Sequence, residues 1–165
     1  MSVRKIAKLA MLTALAMILS YVESLIPVFA AVPGMKLGLT NLVVLVALLY
    51  MDAGSAFLIN MIRIVLVALT FGNLFALLYS LAGGILSFAV MFLLKKTDKF
   101  SAVGISAAGG IAHNAGQITV ACIVLDTAYV LGYLPVLIIS GIIAGVIIGI
   151  LCGLVAKRIE PAIKK

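Results

Sequence analysis

The stretch Ser101–Asp126, SAVGISAAGGIAHNAGQITVACIVLD, decides how this chain is read. It is apolar and long enough to cross a membrane, which takes about 20 residues of helix. Yet it carries the protein's single histidine and, close by, Asn114 and Gln117. His113 and Gln117 are four residues apart and share a helix face, with Asn114 one position round from His113. Gly104, Ala108, Ala112 and Gly116 make a second stripe at the same spacing. One face therefore suits the close approach of a neighbouring helix, and the adjacent one offers hydrogen bonds. The pattern predicts a membrane-embedded small-molecule site.

Composition supports the membrane setting. The 165 residues are 65% hydrophobic and 10% charged, whereas soluble domains carry about 25% charged residues. Residues 1–165 are read as a single membrane domain. Arg4, Lys5 and Lys8 precede an apolar run in the manner of a signal peptide. That run exceeds the roughly 7–15 residues of a signal sequence's apolar region and is followed by further spans, so it is read as the first helix. Cys122 and Cys152 lie inside apolar segments with no paired metal spacing and read as small buried hydrophobes. The net charge of +7 suggests nucleic acid at first sight, but the basic residues cluster at segment ends, where they orient a membrane protein.

Hydrophobic stretches run approximately over residues 9–30, 37–51, 55–70, 73–94, 101–126 and 134–156, separated by turn signals such as Val32-Pro33-Gly34 and the run from Lys95 to Lys99. None alternates as a barrel strand does. Basic clusters at Arg4–Lys8, Lys95–Lys99 and Lys157–Lys165 are separated by four and then two segments, so all three fit one side. The fold expected is an all-α integral membrane protein of six transmembrane helices with both termini cytoplasmic. On that topology Glu23, Lys36, Asn41, Arg63, Asn73, His113, Asn114, Gln117 and Asp126 fall in the outer half or the middle and can converge on one outward-facing cavity. Gly141, Gly145, Gly149 and Gly153, each four residues apart, mark a face for close packing, within the bundle or against another subunit.

Arg63 is the strongest single residue, because an arginine at membrane depth costs about 2.5–3.5 kcal/mol on insertion scales and faces a cavity or partner. It is either paired with Glu23 or Asp126, or acts with Lys36 to capture a carboxylate or phosphate through its planar fork of donors. For His113 the alternatives are a satisfied neutral imidazole, a ligand contact and, less favoured, a metal ligand. No second histidine, cysteine pair or carboxylate cluster completes a metal site, so none is expected. Asn41, Asn73, Asn114 and Gln117 either bridge helices or bind the ligand, and their shared depth favours a pocket.

Several of these segments carry a resemblance. PGMKLGLTNLVVL at Pro33–Leu45, the lone Arg63, YSLAGGILS at Tyr79–Ser87 and GGIAHNAGQ at Gly109–Gln117 together resemble the Gx transporter family, whose members are often labelled component I of heptaprenyl diphosphate synthase. That family is similar in turn to the substrate-binding S components of energy-coupling factor transporters. The resemblance implies an S-component-like bundle in a prokaryotic plasma membrane that binds a micronutrient from outside. It also implies partners: a coupling transmembrane protein and two ATPase subunits, which would use the ATP. An A-x-x-x-A element on the first helix, which meets the coupling protein in S components, maps here onto Ala10 and Ala14. No cofactor is expected in this chain.

Three functions compete. The first, favoured by the resemblance, is capture of a small, anionic micronutrient as the substrate-binding subunit of an uptake transporter. The chain has no G-x-x-x-x-G-K-[ST] loop for nucleotide. The second is a role beside a prenyl diphosphate synthase. Ionising an allylic diphosphate needs metal ions held by clustered acids, and the five acids here are scattered. The chain is therefore not expected to be an enzyme, and this alternative is a non-catalytic membrane partner that binds or delivers an isoprenoid phosphate. The third, a self-contained secondary transporter, predicts an inverted repeat that the two halves do not show.

Overall fold

The computed structural model describes residues 2–26 and 38–163, with side chains described as far as Arg158. Six α-helices follow in order: α1 Val3–Ser24, α2 Leu39–Tyr50, α3 Ala53–Phe71, α4 Leu74–Lys96, α5 Ala102–Val124 and α6 Leu134–Ile163, the last entered from a 3₁₀ turn at Ala128–Tyr133. α1 begins six residues before the expected 9, because the Ser2 hydroxyl caps it by accepting from the Lys5 N–H. Its expected end at 30 lies outside the described residues.

The expectation of six transmembrane helices needs correction. Among the described residues, four helical runs are long and apolar enough to cross a membrane: Val3–Ser24, Ala53–Phe71, Leu74–Lys96 and Ala128–Arg158. The chain is thus a multi-pass integral membrane protein. α2 has 12 residues, about 18 Å of helix against a hydrocarbon core of about 30 Å. Its apolarity serves the protein interior instead. Thr40 and every residue from Val43 to Leu48 are buried, and the helix touches all five others. α5 has the length, at 23 residues, but its glycines and its His113, Asn114 and Gln117 dilute its apolarity, and it is sandwiched between α4 and α6.

Backbone proximity holds that sandwich together. A Cβ placed on Gly145 would stand 2.6 Å from the Ala107 Cα and the Ser106 carbonyl, and one on Gly149 2.5 Å from the Val103 Cα. Gly141 meets Gly110 in the same way. Three of the four glycines in the α6 stripe therefore pack within the bundle, whereas Gly153 has open space around it. On the other side of α5, Gly116 meets the Ala82 carbonyl, and Gly83 meets the His113 carbonyl and the Gln117 side chain. Small residues supply van der Waals contact where lipid gives no hydrophobic drive to association.

One end of the bundle is basic. The Lys5 ammonium pairs with Asp52 at 2.9 Å, and the Lys95 ammonium donates to the Leu48 carbonyl, which brings the ends of α1, α2, α3 and α4 together. Asp52 also caps α3, accepting from the Ser55 N–H at 2.9 Å and the Ser55 hydroxyl at 2.7 Å. The Ser55 hydroxyl, then Lys5, then the Ser55 N–H lower its carboxyl from the ordinary 3.8 to about 2. A depressed carboxyl stabilises the fold above its unfolded value. Its contribution is accordingly present above about pH 4 and disappears as pH falls from 4 towards 2. Asp52→Ala is expected to cost about 1 kcal/mol by loss of the cap and to flatten the acid limb in that window, read by unfolding titrations in detergent between pH 2 and 6.

Candidate functional site

The site is built around Arg63. α3 carries Asn60 and Arg63 three residues apart and hence on one face. The Asn60 amide oxygen accepts from both the Arg63 Nε, at 3.2 Å, and Nη2, at 2.9 Å. The Asn60 amide nitrogen in turn donates to the Gly84 carbonyl of α4 at 3.0 Å. Gly84 leaves room for this, because a Cβ there would meet the Ile64 Cδ1 at 2.6 Å and the Asn60 amide nitrogen at 3.3 Å, so the end of the Ile64 side chain would have to move. The guanidinium is thereby held from behind, 8% exposed, with two of its N–H groups engaged. Three N–H groups remain, on Nη1 and Nη2, and Arg63 stands in the wall of the space beside it.

That space is two adjoining cavities, one of about 40 Å³ and one of about 180 Å³, that share Glu23, Thr40, Arg63 and Ser80 in their walls. Glu23 faces both, and the charge of its carboxylate attracts the guanidinium. The carboxylate also accepts from the Gly38 N–H at the start of α2. Gly38 stands at φ +74°, in the left-handed region that favours glycine, so the α2 N-terminus can turn onto Glu23. The Ser20 and Thr40 hydroxyls, 2.8 Å apart, join α1 to α2 at the edge.

The sequence-derived residues divide among several places. Asn41, Arg63, His113 and Asn114 line the smaller cavity together. The Asn114 amide nitrogen is committed to the Leu137 carbonyl of α6, at 2.6 Å, so this residue also bridges helices. Gln117 lies one turn beyond His113 and lines a separate cavity. Asn73 is exposed and caps α4, accepting from the Ala76 N–H at 2.8 Å, and lines neither Arg63 cavity. Lys36 lies outside the described residues. Ala10 and Ala14 are exposed on α1, away from the cavities. Pairing of Arg63 with Asp126 is corrected: Asp126 stands past the end of α5, about 20 Å along the axis from His113, and is in neither cavity wall. Among the described residues no three of His, Cys, Asp and Glu come together as a metal site.

Asn60 is the residue that sequence reading missed. Its signal was its position three residues before Arg63, but an uncharged amide in an apolar run attracts less notice than the charge it supports.

A family model for heptaprenyl diphosphate synthase component I matches residues 12–155, most of the chain. The chain belongs to that family. It is a non-catalytic component and not itself an enzyme. No curated protein and no solved structure matches. The match corrects the expectation of a transporter. It names a synthase component, and nothing found links the chain to S components or to energy-coupling factor transport.

Proposed function

We propose that this chain is a non-catalytic membrane partner of a prenyl diphosphate synthase, and that it holds the phosphate end of an isoprenoid phosphate at Arg63. The family match to a synthase component supports the partnership. The observation that carries the binding reading is the buried guanidinium, held by Asn60 through two of its N–H groups and standing in the wall of a cavity that Ser20, Thr40 and Ser80 also line. Arginine's planar fork matches phosphate oxygens two at a time. A cavity of about 180 Å³ is smaller than the roughly 300–1,000 Å³ of sites that engulf a whole drug-sized ligand, which suits a head group. The Glu23 carboxylate, engaged by the Gly38 N–H, is the group with which an arriving anion competes for Arg63.

Native mass spectrometry of the protein gently released from its own membrane tests this reading. The expected result is a retained prenyl phosphate together with a soluble prenyl synthase subunit. Recovery of the chain with neither, under conditions that preserve other membrane complexes, would overturn the proposal.

A further inference from the structure

A third cavity, of about 180 Å³, is lined by residues of α4, α5 and α6 and shares none of its wall residues with the two cavities at Arg63. Its wall includes Tyr79, Gln117, Ala121, Leu125, Tyr133 and Leu137. The smaller Arg63 cavity and the third one draw on the same three helices, α4, α5 and α6. On α5, Ser106, Gly110 and Asn114 face the Arg63 side, and Gln117, Ala121 and Leu125 continue the same stripe into the third cavity. On α6, Gly141 and Leu137 are one turn apart, and on α4 Ser80 and Tyr79 are neighbours, in each case with the first on the Arg63 side.

Gln117 lines the third cavity, three residues on from Asn114 in the wall of the smaller one. It is 6% exposed, and its amide oxygen is buried with no hydrogen-bond partner. A half-turn of the amide would present N–H donors at the same point. An unsatisfied buried amide costs about 1–3 kcal/mol, so this position favours a ligand that bonds to it. An apolar cavity of about 150 Å³ holds a benzene ring, so this one has room for one or two isoprene units and not for a long chain.

We infer that this cavity receives the first isoprene units of a prenyl phosphate whose phosphates lie at Arg63, with Gln117 donating to the ester oxygen that joins them. The inference rests on the proposed head-group site. Further units would leave the slot for the bilayer.

The experiment compares two water-soluble probes, inorganic diphosphate and geranyl diphosphate, by equilibrium binding to the protein in nanodiscs. Both begin in water, so their difference reads burial of the chain. Geranyl diphosphate is expected to bind about 100-fold more tightly than inorganic diphosphate. Ala121→Phe, which fills the slot, should reduce that preference to within about 5-fold and leave inorganic diphosphate unchanged. If inorganic diphosphate binds but the geranyl preference is absent, or survives Ala121→Phe, the slot is not the chain's seat and the Arg63 reading stands. If neither probe binds the unaltered protein, both fall. Photolabelling of the unaltered protein with a diazirine-bearing geranyl diphosphate gives a readout that needs no variant. Label at Tyr79, between Gln117 and Leu125, or between Val130 and Leu137 supports the slot, and label confined to other segments overturns it.

Discussion

Arg63→Ala lowers affinity for inorganic diphosphate by about 30-fold or more, the low end of the 2–5 kcal/mol lost when one partner of a buried charged contact is truncated. The expectation follows from the way α3 presents the side chain. Asn60 takes Nε and one hydrogen of Nη2, so the remaining donors form the only fixed cationic surface in the cavity among the described residues. Arg63→Lys keeps the charge and loses the fork. Its affinity should fall between the two, because an ammonium meets phosphate as a point charge. Equilibrium binding with labelled diphosphate measures all three proteins. Equal affinity in the unaltered protein and Arg63→Ala would make Arg63 a structural partner of Asn60 and Glu23 alone.

The second large effect lies in the helix packing. Gly145→Val places side-chain carbons where the Ala107 Cα and the Ser106 carbonyl already stand, 2.6 Å from the Cβ position. Backbone atoms cannot rotate away, so α6 must separate from α5. That separation would pull Asn114 from the Leu137 carbonyl and open the wall that holds His113 and Gln117. The expected cost is about 3 kcal/mol, with loss of the bundle a plausible extreme. Gly153→Val tests the same substitution two turns further on, where nothing lies within 4 Å of the Cβ position, and should change stability by less than about 0.5 kcal/mol. Unfolding titrations in mixed micelles distinguish the two. Similar stability in both variants would show that the glycine stripe does not hold α5 to α6.

The contrast between Gly145 and Gly153 also shows what sequence could and could not disclose. The four-residue spacing marked a packing face, but only geometry separates the glycines in contact from the one with space around it. Hydropathy had the same limit in α2. An apolar helix in lipid and one buried among other helices read alike, and length was the only clue that its 12 residues belong to the interior. The expected depth of Asn73 groups it with residues that bridge helices or bind the ligand. Yet a polar residue directly before an apolar run is also an N-cap, and that is its observed bond. Arg63 was legible for a firmer reason, since a charge in an apolar segment demands a partner. Its support from Asn60 and the Gly84 carbonyl was hidden because it depends on how closely two distant helices approach.

The head-group site is tested most directly by solid-state NMR of the protein in bilayers, with ¹⁵N confined to arginine guanidinium groups and diphosphate as the ³¹P partner. Hydrogen bonds of about 2.7–2.9 Å between guanidinium nitrogen and phosphate oxygen should give a strong ¹⁵N–³¹P dipolar coupling. That coupling should disappear in Arg63→Lys, while Arg4 and Arg158 remain labelled. A bound diphosphate with no coupling to arginine, or with a coupling that survives Arg63→Lys, would contradict the account.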